Sequence, residues 1–115
     1  MVDDPTAGTA QDLFNAACDA VLTATDAQAG KIFHSAGLRT VNGAFFAFLR
    51  GQDLVVKLPA DRVRALVSSG VGAAFDAGRG RPMREWVRLR PHDVGSFEQY
   101  LLEARAFVAG VPGPP

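Results

Sequence analysis

Gly37-Leu38-Arg39-Thr40-Val41-Asn42-Gly43-Ala44-Phe45-Phe46-Ala47-Phe48-Leu49-Arg50 is the stretch whose reading decides the fold. Asn42-Gly43 separates two β-prone runs, and that pair is a strong hairpin signal because a tight two-residue turn needs positive φ at both central positions. The run from Ala44 to Arg50 is apolar on both faces whichever parity points inward, so an open sheet face would carry phenylalanine as exposed apolar surface. A second turn around Gly51-Gln52 leads into Asp53-Leu54-Val55-Val56-Lys57-Leu58. Together these segments predict a three-stranded antiparallel meander.

Outward from the meander the pattern becomes helical. From Thr9 to Thr25, Leu13, Ala17, Val21 and Ala24 fall on one stripe, widened by Phe14, Cys18 and Leu22. Thr9 suits an N-cap, with Asp12 as an acid in the first turn. After Pro59 a shorter helix is expected from Ala60 to Ser69, with Val63, Leu66 and Val67 inward and Gly70 ending it. Ala73-Ala74-Phe75 reads as a short strand, residues 78–82 as a loop, and Met83 to Arg90 as a strand closed by Pro91. Ser96 and Gln99 suggest a capping box for a last helix running to Ala109 over Phe97, Leu101, Ala104 and Val108. The expected order is α-β-β-β-α-(β)-β-α. That is an α+β two-layer sandwich, an antiparallel sheet with helices on one face. Residues 9–109 would form the single domain, between flexible tails at 1–8 and 110–115.

The 115 residues suit one domain and one core, and 48% apolar with 21% charged residues argues against global disorder. Cys18 is the single cysteine, which excludes an internal disulfide and Cys-x-x-Cys metal clusters. The N-terminal stretch has no basic region followed by an apolar one, and no apolar run is long enough for a membrane span. A cytoplasmic protein is therefore expected. Net charge is zero, but residues 79–90 hold five arginines (Arg79, Arg81, Arg84, Arg88 and Arg90) against Glu85 alone, five minus one giving +4. A neutral total can hide a basic patch.

From Lys31 to Val108 the sequence resembles the N-terminal domain of the TfoX/Sxy competence-regulator family. The resemblance rests on Ile32-Phe33 followed by Gly37-Leu38, and on Asn42-Gly43 opening a Phe-rich strand. It continues through the lysine-bearing strand Leu54 to Leu58, then Phe75 and Gly80-Arg81-Pro82-Met83 ahead of a strand with Trp86. The end Ala104-Arg105-Ala106-Phe107 completes it. The resemblance implies a fold like the type III secretion chaperones and a part in transcription regulation of competence, with no catalytic residues to carry over. Full-length members carry a second, helical domain. Here few residues follow the last helix, so a stand-alone member is expected.

No catalytic pattern emerges. Gly-x-Ser-x-Gly is absent, and His34 and Ser35 are neighbours whose side chains would point to opposite faces of a strand. Cys18 on an apolar stripe reads as a small buried hydrophobe. His34 and His92 do not make a metal set, and the glycine loop at 78–82 lacks nucleotide-binding spacing. No enzyme activity, cofactor, metal or small-molecule substrate is therefore expected, and a small enzyme using His34 or Cys18 in an enclosed pocket stands as the least favoured alternative.

Strand parity puts Arg84, Trp86, Arg88 and Arg90 on one face and Val87 and Leu89 on the other. Two placements of Trp86 stay open. It stands exposed on the open sheet face among arginines, or it is packed away under its neighbours. The first makes Trp86 an anchor for a protein partner or a homodimer, with Arg79, Arg81, Arg84 and Arg88 around it, since Trp and Arg are favoured contact residues. The same cluster offers nucleic acid binding as the alternative.

Overall fold

A computed structural model describes residues 9–32, 35–76 and 83–110 of the chain. The expected tail at 1–8, the expected tail at 110–115 apart from Gly110, the loop arginines Arg79 and Arg81, and His34 lie outside these described residues. Among them the order is α1 (Ala10–Ala24), β1 (Gln28–Ile32), β2 (Ser35–Arg39), β3 (Phe45–Arg50), β4 (Asp53–Lys57), α2 (Ala60–Ser68), β5 (Gly72–Ala74), β6 (Trp86–Leu89) and α3 (Val94–Ala109). The fold class is α+β, as the sequence predicts. The six strands form one antiparallel sheet in the order β1-β2-β3-β4-β6-β5.

Local chemistry explains most of the element ends. The Thr9 hydroxyl accepts from the Asp12 N–H at 3.1 Å, and the Asp12 carboxylate accepts from the Thr9 N–H at 3.4 Å, which closes a reciprocal cap on α1. α2 begins directly after Pro59. α3 starts earlier than expected, because Asp93, not Ser96, is its N-cap: the Asp93 carboxylate accepts from the Ser96 N–H at 2.7 Å. The first hairpin also differs. Gly43 N–H donates to Thr40 C=O at 2.9 Å, so Val41 and Asn42 are the central turn residues, and Gly43 follows with φ of 88°. A three-residue loop with glycine in the left-handed position replaces the expected two-residue turn. β1, which has no strong periodicity of its own, is recruited by pairing with β2.

The three helices cover one face of the sheet. Phe14, Ala17 and Val21 of α1, Val63 and Leu66 of α2, and Phe97, Leu101 and Ala104 of α3 are buried with Leu54, Leu49, Val56, Val87 and Leu89. Phe14 and Phe97 meet edge to face with centroids 6.4 Å apart, a favoured aromatic arrangement. Arg62 donates twice to Glu103, at 2.8 and 3.3 Å, and ties α2 to α3.

β3 is buried on both faces by a device the sequence does not reveal. Leu38 pairs with Ala47 but Arg39 pairs with Phe45, which leaves Phe46 as an extra, bulged residue. Phe46 and Ala47 consequently both join the helix-side core, and Phe48 keeps the opposite face.

Candidate functional site

The face of the sheet away from the helices has its own small core. Phe48, Val55, Phe75 and Trp86 are buried together, with Ile32 packed against them. Trp86 lies opposite Lys57 on β4, as the parity of β6 requires. Its ring centroid is 5.6 Å from that of Phe48 and 6.5 Å from that of Phe75. Phe75 is the residue that closes the face. The chain leaves β5 after Ala74, and the Phe75 ring turns onto Phe48, with centroids 5.6 Å apart and planes near perpendicular. The Met83 N–H donates to the Phe75 C=O at 2.8 Å, and the Arg50 guanidinium sits 5.8 Å from the Phe75 ring centroid. The expected open patch with Trp86 as an exposed anchor is corrected accordingly: Trp86 is only 8% exposed.

The sequence's candidate residues separate in space. Arg84 is exposed and lines a groove beside α2. Arg88 shares the Trp86 face, but its guanidinium turns to the end of β4, where Asp53 is waiting. Arg88 Nε donates to Asp53 Oδ2 at 2.9 Å, and its Nη2 reaches the same oxygen. Arg90 Nε donates to Asp53 Oδ1 at 2.6 Å.

Asp53 is the residue that sequence reading passed over. It looks like an ordinary polar residue at the mouth of a turn, yet it is buried. The only sequence signal is its position at the start of a strand, level with the arginine-bearing end of β6. Burial pushes the Asp53 carboxyl upward, but hydrogen bonds from Arg90 and Arg88, with their charges, hold it below the usual carboxylate value.

This clasp makes a prediction. The folded-state pKa lies below the unfolded value of about 3.9, so the stabilisation is complete above that pH and fades as pH falls through the folded value. Asp53→Asn should cost about 1–2 kcal/mol at pH 7, less than a fully buried ion pair because the Arg88 side chain is 43% and that of Arg90 75% accessible to water. Urea titrations at pH 7 and pH 3 check this. A difference between wild type and variant that does not shrink at the lower pH overturns it.

Around the clasp lies a cleft of about 820 Å³, where the turn after α2, the β5–β6 end and the start of α3 meet. Asp53, Arg88, Arg90, His92, Asp93, Ser96 and Tyr100 are its polar lining residues.

No family model, curated protein or solved structure matches the chain.

The nucleophile candidates give little chemistry. Cys18 is buried in the helix-side core, and burial, helped by the Asp19 charge, pushes its thiol up to about 12. A thiol with that value is protonated at neutral pH and a poor nucleophile. No helix among the described residues is long and apolar enough to cross a membrane.

A different apolar surface is exposed. Val67 is 40%, Val71 54% and Met83 36% accessible. Val67, expected to face inward, points out because the short α2 turns only Val63 and Leu66 to the core. Val67 and Met83 line a groove of about 620 Å³ with Val63, Ala74, Arg64 and Arg84. β5 runs alongside as an edge strand, paired among the described residues on one side only, to β6.

Proposed function

We propose that this chain is a non-enzymatic regulatory or adaptor domain that acts by protein–protein contact, as its resemblance to the TfoX N-terminal domain implies, and that its primary contact is with a second copy of itself along β5 and the α2 groove. The observation that carries this reading is the exposure of Val67 and Met83 in the groove beside α2, with Val71 exposed at the start of β5, which among the described residues is paired on one side only. Contiguous exposed apolar surface is characteristic of interfaces. β5 is Gly72-Ala73-Ala74, short as protected edges are, but it has no lysine, proline or bulge to keep a second strand away. A net charge of zero removes the long-range repulsion that would otherwise oppose self-association.

Nucleic acid binding is the weaker reading. Single-stranded nucleic acid needs aromatic faces on which bases stack, and Phe48, Phe75 and Trp86 spend theirs on one another. Only arginine contacts to phosphate remain to support it.

Light scattering on the full chain and on the double variant Val67→Asp/Val71→Asp tests the proposal. Wild type is expected at twice the chain mass of 12.2 kDa. The variant should fall to the single-chain mass with an unchanged circular dichroism spectrum, since both positions are exposed. A wild-type mass of one chain over the whole concentration range, or a variant that stays dimeric, overturns the assignment.

A further inference from the structure

We propose that the cleft at the end of β6 binds the oxyanion of a small ligand, a carboxylate or a phosphate ester, between Arg88 and Arg90. The cleft shares Val71, Gly72 and Ala73 with the edge assigned to self-association, but the inference rests on the two arginines and does not require that contact.

It starts from how the two guanidiniums are held. Arg88 gives Asp53 its Nε and Nη2, and Arg90 gives Asp53 its Nε alone. A guanidinium has five N–H donors in a rigid fork. Arg88 therefore keeps three donors beyond the clasp and Arg90 keeps four. Two arginines against one carboxylate leave one positive charge, two minus one. The buried carboxylate orients both forks and leaves part of each one unused.

A purely structural staple accounts for half of this arrangement. Asp53 with Arg88 joins β4 to β6 and covers a buried charge. Arg90 adds little to such a staple, because its side chain is 75% exposed and an ion pair that accessible contributes little to stability. Its preset orientation is better explained as preparation for a ligand. Arginine forks match the planar carboxylate and the tetrahedral phosphate through paired hydrogen bonds.

The surroundings suit a small molecule. The cleft volume of about 820 Å³ lies in the range of ligand pockets. Ser96 and Tyr100 bring hydroxyl groups from α3, and His92 brings a ring nitrogen from the β6–α3 connection. Asp93, the acid on the same rim, is engaged by the Ser96 N–H as the cap of α3, where the positive end of the helix dipole offsets its charge.

The test reads the arginine side chains directly. In the full chain at pH 7, the Nε–Hε resonances of Arg88 and Arg90 are followed by NMR while sodium phosphate, and separately sodium acetate, replaces sodium chloride at constant ionic strength. Saturable shifts of both signals are expected, with dissociation constants on the order of 1–10 mM for so small a probe. Arg62, paired with Glu103, should not move.

Arg90→Gln should weaken binding about tenfold, the loss of one charge-assisted contact. The Arg88 Hε signal in that variant reports whether the clasp is intact. Saturation by phosphate alone assigns a phosphate ester, and saturation by acetate alone a carboxylate. Linear, non-saturating shifts with both anions overturn the proposal, as does undiminished binding in Arg90→Gln.

Discussion

Trp86→Ala should destabilise the protein by about 3–5 kcal/mol, the range for removing a buried aromatic side chain. The indole fills the centre of the small core on the helix-free face, in contact with Phe48 and Phe75 and beside Val55. Two of the three aromatic pairings there disappear with it, each worth roughly 0.5–1.5 kcal/mol beyond the area it buries. The second core is thin, and the sheet behind it is already packed on its other side, so the cavity has little to collapse onto it. Natural domains hold only about 5–15 kcal/mol of stability, so the loss should lower the melting temperature by roughly 10–20 °C. Thermal unfolding followed by far-ultraviolet circular dichroism, with Trp86→Phe as the conservative companion, measures it. A melting temperature unchanged in Trp86→Ala would return the residue to the surface and restore it as a partner anchor.

Gly37→Ala is the second large effect, and its sign opposes the local rule. In a strand interior alanine is ordinarily better than glycine by roughly 0.5–1 kcal/mol, because glycine loses more backbone freedom on folding. At Gly37 a Cβ would stand 2.7 Å from the Ala47 carbonyl oxygen, 3.0 Å from Ile32 Cγ2 and 3.2 Å from Phe48 Cβ. The nearest of these is backbone of the adjacent strand, which cannot rotate away. β2 is paired on both sides, to β1 and to β3, so accommodating the methyl means separating strands. The expected cost is about 2–3 kcal/mol, the scale of overpacking a filled interior. Urea unfolding of the single variant decides between the two rules: a gain in stability would mean that propensity governs this position and that the strands have room to separate.

The two predictions show where local reasoning holds. The Thr9–Asp12 cap, the start of α2 after Pro59 and the alternation along β6 depend on residues one to four positions apart, and each is written in the neighbouring chemistry. The covering of the sheet faces was less accessible to such reasoning. Parity placed Trp86 and Arg88 on one face, but it carried no information about Phe75, which arrives from another strand to cover that face. Val67 satisfied a helical stripe and is exposed all the same, because a nine-residue helix at the sheet margin has only one narrow contact line.

The sequence by itself determined the α+β class, the three helices, the antiparallel meander and the burial of Cys18, since hydrophobic period, caps and turn residues act over a few positions. Only the tertiary structure decided the bulge at Phe46, the addition of β1 to the sheet, the closure of the second face by Phe75 and the clasp of Asp53 on Arg88 and Arg90. Those clasp partners lie 35 and 37 residues apart. At such separations no local period or propensity brings groups together. Their meeting is fixed by strand register, and register is set by what the whole sheet buries.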